Sequence, residues 1–399
     1  MERVDGSLAQ KVVVVGAGPV GMLCALFLKK NISAIDPILC DPFVDRSIGE
    51  NDLRAFALTA QTKHLLEDLG LWSRIEAVEP IVAMRITDSQ IDHPARRPLL
   101  IFDEPLRTGE CFAYMVPHRA LIRVLKQACF EMGLMTKPVR VQRFEPTLVG
   151  QSVTFCNNET LECSLVIGAD GANSHVRTMA GLAWIHYAYD QSALVATIEH
   201  KRAHGGVAVQ HFFPQGSFAQ LPLYGGYCSS LVWVESPEVA EGFLSYDERS
   251  IEEEIEKRLG GHLGSVRLIS SLRAYPLKFG IARSFVSYRC ALIGDSAHII
   301  HPLAGQGVNL GFQDVLTLGR ILKDSVNTGI DCGHFSVLKE YEKSRYSHTT
   351  ALWLATEGLN RLFSSANPLA RAVRETGLRF VDSLEPLKRI LIHQAAGTF

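Results

Sequence analysis

The chain has 399 residues, 47% of them hydrophobic, with a formal net charge of -2. That length predicts two interleaved domains around a large core, and the near-neutral charge removes the electrostatic basis for nucleic-acid binding. Nine cysteines, an odd number scattered without a C-x-x-C pair or a histidine cluster at zinc spacing, point away from a disulfide framework and a metal centre and predict buried, reduced thiols in a cytoplasmic protein.

Val12 to Leu28 carries no charge and is flanked by Lys11 and Lys29-Lys30, which imitates a signal or membrane segment. Gly16, Gly18, Pro19 and Gly21 interrupt it, and it is shorter than the roughly 20 apolar residues a span requires, so no targeting or transmembrane segment is expected. The run Lys11-Val12-Val13-Val14-Val15 predicts a buried strand, Gly16-Ala17-Gly18-Pro19-Val20-Gly21 a glycine turn, and Met22 to Lys30 a helix. In that order G-x-G-x-x-G lets a chain turn tightly and approach a pyrophosphate. Pro37 to Cys40 predicts a second strand ending at Asp41, where an acid suits ribose hydroxyls. The alternative is a glycine turn in another α/β fold.

Ser164 to Ile167 is a further predicted strand, followed by Gly168-Ala169-Asp170-Gly171-Ala172-Asn173-Ser174 and Arg177. Asp170-Gly171 is a tight turn in its simplest reading, and a second cofactor loop in company with the first motif. From Tyr187 to about Ser284 the strand-like runs 194–198, 207–213 and 230–234 predict an antiparallel sheet able to roof a cofactor. His211, Phe213, Phe218, Gln220 and Pro222 are candidate pocket residues, with core packing as the plainer role for the aromatics. Cys290 to Ile293 predicts a last buried strand, ending at Gly294-Asp295. Pro302, Ala304, Gly305 and Gly307 then delay a helix that starts around Val308-Asn309-Leu310-Gly311, where free N–H groups and a partial positive charge suit an anionic ligand group. Beyond Asp324 the chain reads as helical, with Tyr341-Glu342-Lys343-Ser344-Arg345 on an exposed turn. A basic amphipathic tail carries Arg371, Arg374, Arg379, Lys388 and Arg389, and suits either an anionic membrane surface or packing against another domain or copy.

Taken together, G-x-G-x-x-G, then G-A-D-G-A-N-S, then G-D-S-A-H…H-P-L-A-G-Q-G-V-N-L-G resembles the class A flavoprotein aromatic monooxygenases of the p-hydroxybenzoate hydroxylase type, and among them the UbiH/UbiF-type hydroxylases of ubiquinone biosynthesis. Ser296 stands where that family commonly has alanine. The resemblance implies an α/β fold: a Rossmann-like FAD-binding domain (1–75, 105–185 and 286–330) interleaved with an antiparallel-sheet substrate domain (76–104 and 186–285), and a helical C-terminal region (331–399). It implies that Gly16, Gly18, Gly21, Asp41 and Arg54 bind FAD, as do Asp170, Gly171, Gly294, Asp295, Gly307, Val308 and Asn309. Pro302, Gly305, Gln306 and Gly307 would face the flavin ring. His298 and His301 are the weaker candidates for a base near the phenol, hydrogen bonding within the loop being the favoured role.

The implied reaction is hydroxylation of a polyprenylated phenol through a C4a-hydroperoxyflavin, with NAD(P)H or a redox protein as reductant and O2 as co-substrate. Only one strand-linked G-x-G-x-x-G exists, which disfavours two-nucleotide-domain reductases. A halogenase, epoxidase or prenyl reductase on the same scaffold, or a non-hydroxylating FAD- or lipid-binding subunit of a quinone-synthesis complex, are the alternatives. A quinone-biosynthesis complex and peripheral contact at the inner face of a membrane through the C-terminal helices are the partner expectations.

Overall fold

The computed structural model describes residues 9–45, 52–88, 90–91, 96, 98–103, 110–111, 113–214, 216–300 and 307–364. The basic tail and the stretch holding His301, Pro302, Gly305 and Gln306 lie outside them. Among the described residues, no helix is long and apolar enough to cross a membrane.

The predicted valine strand is Gln10–Val15, whose last four residues are buried because strands flank it on both sides and it lies inside a core shared with helix Pro19–Asn31 and with the three-stranded antiparallel sheet Val141–Pro146, Gln151–Phe155, Thr160–Cys163. It belongs to a six-stranded sheet in the order Val286–Ser287, Cys290–Leu292, Leu165–Gly168, Gln10–Val15, Ile35–Cys40, Met135–Lys137. All neighbours are parallel except the outermost Val286–Ser287 pair. Register aligns the strand ends: Val15 lies opposite both Cys40 and Gly168, and Gly168 lies opposite Leu292. The strands leading to Gly16, Asp41, Ala169 and Gly294 therefore end at one edge, although those residues come from three distant parts of the chain.

The second sheet has nine strands. Its path runs His298–Ile299, Arg273–Ala282, Trp184–His200, Cys228–Glu235, Gly216–Leu223, Val207–Phe213, Ala83–Asp88, Leu100–Phe102, with Val266–Leu268 branching from Trp184–His200. It is antiparallel apart from the pairing of Val207–Phe213 with Ala83–Asp88. Helices Pro237–Leu244 and Glu248–Leu259 cover one face, where Ala240, Ile251, Ile255 and Leu259 pack on Leu194, Ile198, Phe213, Phe218, Leu231 and Trp233.

The opposite face presents Ala208, Leu221 and Leu223 to a small sheet ordered Ala55–Thr59, Ala113–Pro117, Glu79–Ile81. The two units are thus stitched more closely than the expected boundaries suggest. Glu79–Ile81 joins the small sheet rather than the large one, and His298–Ile299 pairs with Gly280-Ile281 of the large sheet.

Two helices finish the described chain, Gly307–Asn327 and the 30-residue Phe335–Ser364. The segment Tyr341 to Arg345, expected on an exposed turn, lies inside the second of these, and Tyr341 and Arg345 are buried. Its spacing explains why: residues four apart share a helix face, so both turn inward. All nine cysteines are free, and burial pushes the thiols of Cys24, Cys40, Cys129 and Cys163 up to about 12.

The helices Pro19–Asn31 and Gly307–Asn327 cross where side chains are smallest. A Cβ placed on Gly311 would come 2.6 Å from Val20 Cγ2 and 3.2 Å from Gly294 Cα. Gly311→Ala is expected to lower stability by roughly 1–3 kcal/mol through overpacking, read as a shifted urea midpoint. Adding Val20→Ala should recover most of the loss, and no recovery would show that the crowding lies elsewhere.

Candidate functional site

The site grows from the shared strand edge. Gly16 has φ +110°, and a Cβ on it would lie 2.3 Å from the carbonyl oxygen of Ala169, so the first and second loops touch through backbone alone. At Gly21 a Cβ would lie 1.9 Å from the Gly16 carbonyl oxygen, which locks turn to helix. Gly18 differs: a Cβ there would meet nothing within 4 Å. Gly18 also leads into helix Pro19–Asn31 with no side chain capping it, so the first N–H groups face open space.

That space is a cavity of about 370 Å³ lined by Gly16, Gly18, Asp41, Arg140, Asp170, Gly171 and His175, among others. Asp41 Oδ2 accepts from Ala17 N–H at 2.9 Å and Oδ1 from Phe43 N–H at 2.6 Å, which fixes the carboxylate at the cavity wall with further lone pairs unused. An uncapped helix start for phosphate beside an oriented acid for hydroxyls fits the ADP part of FAD.

The second motif lines the same cavity and is also braced within itself. Asp170 accepts from Ser174 Oγ at 2.5 Å, His175 N–H at 2.7 Å and Val176 N–H at 3.1 Å, so its carboxylate organises the start of helix His175–Met179. Arg177 ties this loop to the third one, donating to Ala172 O at 3.0 Å and Ser296 O at 2.9 Å while stacking on Trp184. The Ser296 hydroxyl lies 2.6 Å from Gly168 O, a link between strand ends that alanine cannot make.

The third motif rests on a residue that sequence reasoning passed over. Asp314, fully buried in helix Gly307–Asn327, has Oδ2 accepting from Gly294 N–H at 2.9 Å and lying 2.6 Å from His298 Nε2. Its Oδ1 accepts from Arg345 Nε at 2.6 Å. Burial alone would raise its carboxyl, but His298, Arg345 and the hydrogen bonds they and Gly294 supply outweigh burial and hold it below the usual carboxylate range. His298 is therefore committed within the loop, the role its sequence context favours. Asp295 is the one exposed residue between Gly294 and His298, and the protein crowded around it raises its carboxyl, with Asp314 adding and His298 opposing.

Asn309 is likewise structural in its side chain. Its Oδ1 accepts from Thr59 N–H at 3.0 Å and Thr62 Oγ1 at 2.8 Å, and its Nδ2 donates to Ala57 O at 2.7 Å. This anchors the small sheet beside the helix start at Gly307. The face of the nine-stranded sheet that meets Ala55 and Ala57 is therefore the one turned toward the glycine loops.

That face changes the expected pocket. His211, Phe213, Phe218, Gln220 and Pro222 share one register face, but it is the face that carries Leu194, Leu231 and Trp233 under the two covering helices. His211 pairs with Thr87 Oγ1 at 2.6 Å beside Phe213 and Phe218, which is core packing rather than a cofactor roof. The residues facing the loops are their neighbours: Ala193, Val195, Ala219, Leu221, Val232 and Val234. Alternation in the sequence identifies two such sets, and the smaller side chains of the second were the available signal for which one leaves room.

At the rim, Arg54 donates to Asp52 through Nε at 2.9 Å and Nη2 at 2.7 Å, and His118 Nδ1 lies 2.8 Å from the same carboxylate. The Arg54 hydrogen bond holds the Asp52 carboxyl far below the usual range despite partial burial.

Comparison with known proteins agrees with this arrangement. Residues 9–355 match the family described as FAD binding domain. The ubiquinone hydroxylase UbiL of Rhodospirillum rubrum is 35% identical over 392 residues, 97% of this chain and 89% of that protein. The 3-demethoxyubiquinol 3-hydroxylase of Escherichia coli is 31% identical, with 97% and 98% covered. The chain belongs to the FAD-dependent ubiquinone-hydroxylase family. It is an FAD-dependent aromatic monooxygenase. The same fold occurs in p-nitrophenol 4-monooxygenase PnpA of Pseudomonas putida, with a TM-score of 0.80, 19% identity and 98% of each chain covered.

Two outcomes check these assignments. Asp314→Asn leaves Arg345 buried without its counter-charge and is expected to cost about 3–5 kcal/mol in denaturant unfolding; a loss below about 1 kcal/mol would remove Asp314 from its central place. His211 is pushed down to about 3 by burial, with Arg96 and His262 adding. The unfolded chain takes up that proton near pH 6.5 and the folded one only near 3, so stability falls as pH drops through this window, by up to about 1.4 kcal/mol per pH unit. His211→Gln should flatten the acid limb of a stability-pH curve, although the depressed His118, His200, His262 and His348 keep it from becoming level.

Proposed function

We propose that this enzyme hydroxylates the aromatic ring of a polyprenylated phenol on the route to ubiquinone. The observation that carries the reading is the single edge at which the glycine loops and the start of helix Gly307–Asn327 face the apolar side of the nine-stranded sheet. The relatives' names supply the substrate class.

Gly16, Gly18, Gly21 and Asp41 would hold the ADP part of FAD, with Gly171 at the cavity wall. Gly294 and Asp295 would meet its middle portion, with Asp295 accepting from hydroxyls. Gly307 and Val308 open the helix toward the ring, where free N–H groups stabilise negative charge. When bound and reduced, FAD supplies the activation of O2 that delivers one oxygen atom to the phenol ring. The protein's own part is positioning and exclusion of water: Ala193, Val195, Ala219, Leu221, Val232 and Val234 form an apolar wall against which an aromatic ring can lie. Among the described residues, no buried histidine of the third loop is left to act as a base, because His298 is engaged by Asp314.

The test is turnover of purified, FAD-loaded protein with a short-chain polyprenylphenol under air. The expected outcome is a yellow protein whose NAD(P)H consumption rises with the phenol and a product heavier by one oxygen atom in mass spectrometry. A yellow protein that adds no oxygen to any phenol, even after chemical reduction of the flavin, would overturn the reading in favour of a binding subunit. The precursor that accumulates when the gene is deleted identifies the ring carbon.

A further inference from the structure

The helix-covered face of the nine-stranded sheet, turned away from the glycine loops, carries a polar row that crosses it. His200, Ser229, Gln220, His211 and Thr87 stand one per strand on five adjacent strands, Trp184–His200, Cys228–Glu235, Gly216–Leu223, Val207–Phe213 and Ala83–Asp88, and all five are buried. Register brings them together. Thr87 lies opposite His211, Gln220 is diagonal to both His211 and Ser229, and His200 is diagonal to Ser229.

The hydrogen bonds of the row run in one direction. His200, kept neutral by burial, donates from Nδ1 to Arg202 O at 2.7 Å, so its Nε2 is an acceptor and takes the hydroxyl hydrogen of Ser229 at 2.9 Å. With that hydrogen spent, the Ser229 oxygen accepts from Gln220 Nε2 at 2.8 Å. The Gln220 amide is thereby oriented, and its Oε1 is left as an acceptor. On the next strand His211 Nδ1 lies 2.6 Å from Thr87 Oγ1. Gln220 Oε1 and His211 Nε2 are the two atoms of the row that are buried with no hydrogen-bond partner among the described residues. Each side chain spends its other polar atom on the far strand. Phe213 and Phe218, the rings beside His211, offer neither atom a partner, and buried polar atoms in that state are unfavourable.

We propose that a single water molecule is a fixed part of the fold here, accepting from His211 Nε2–H and donating to Gln220 Oε1. A bridge at this place must accept and donate through one atom, which water does and a simple ion does not. The water sets the tautomer of His211: Nε2 carries the hydrogen, Nδ1 accepts, and the Thr87 hydroxyl donates. Every hydrogen in the row then points from Thr87 toward Arg202 O, so that each bond polarises the next. The two histidines accordingly hold opposite tautomers, Nδ1–H in His200 and Nε2–H in His211.

The same strands form the apolar wall on their other face, where Ala219 and Leu221 flank Gln220 and Val195 and Val232 stand on the strands of His200 and Ser229. A slip of one residue would break the row and turn the wall toward the covering helices, so the row pins the register of the wall. This role, unlike the water and the tautomers, rests on the hydroxylase reading.

Two experiments on FAD-loaded protein test the assignment. Histidine-selective 15N NMR at neutral pH, with His200→Gln and His211→Gln to assign the rings, should show His200 protonated at Nδ1 and His211 at Nε2. A crystal structure of the wild type, which needs no variant to fold, should show a solvent peak within about 3.2 Å of both Gln220 Oε1 and His211 Nε2. A His211 ring protonated at Nδ1, or a direct contact between the two side chains with no peak, overturns the proposal. In urea unfolding, Gln220→Leu and His211→Phe should each lower the midpoint, and the double variant should lose less than the two losses added, because no orphaned partner remains. Strictly additive losses count against a shared bridge. For the wall, Gln220→Leu with full FAD content should raise the phenol KM about threefold or more, and an unchanged KM removes the register role. A wild type that hydroxylates no phenol leaves the peak and the tautomers as they are, which separates failure of the hydroxylase reading from failure of this site.

Discussion

A single buried carboxylate sets the geometry on which the cofactor side of this molecule depends. Asp314 sits on a helix, but its partners are the Gly294 amide at the strand end, a histidine from the edge strand His298–Ile299 and an arginine from another helix. An ion removed from water is unfavourable unless such partners surround it, so the stable arrangement is the one in which all three arrive together. The third glycine loop is thereby held at a fixed distance from both terminal helices. Tyr341 strengthens the same joint by donating to Leu292 O at 2.8 Å, at the end of the strand that feeds the loop.

Small residues and committed polar groups then bring the other loops to the same place. Gly16, Gly21 and Gly311 permit contacts that any side chain would obstruct. Asp170 spends its carboxylate on the helix start that follows its own loop, and Arg177, Ser296 and Asn309 use their side chains on backbone groups of neighbouring segments. What is left for a ligand is mainly backbone N–H groups and the Asp41 and Asp295 carboxylates. A site of this kind is preorganised, because the groups that fix its shape are not the groups that must move to bind.

The glycine motifs were legible in the sequence because local chemistry forces them: β-branched strands ending in glycine leave few conformations open. Asp314 and Arg345 were not legible. On a helix that is amphipathic by pattern, a single acid or base reads as part of the solvated face, and only the approach of Gly294 and His298 reveals it as buried. The pocket residues show a different limit. Period-two alternation correctly groups His211, Phe213, Phe218, Gln220 and Pro222 on one face, but which face looks toward the cofactor depends on where helices Pro237–Leu244 and Glu248–Leu259 pack. The bulky set attracted attention for its aromatic character, and that character is what the covering helices bury.

The 17-residue strand Trp184–His200 pairs with Arg273–Ala282 from Trp184 through Val195, interrupted by one irregularity between Ala188 and Ser192. It begins just beyond a helix-and-turn segment tied to the six-stranded sheet and ends at the far side of the substrate unit. A connection of this kind behaves as a beam rather than a hinge. Swinging the two units apart would mean tearing backbone hydrogen bonds on either side of that one irregularity, whereas displacing a side chain or rim residue sacrifices a few contacts. Relative rotation of the two units is therefore costlier in this fold than the displacement of single side chains at the rim.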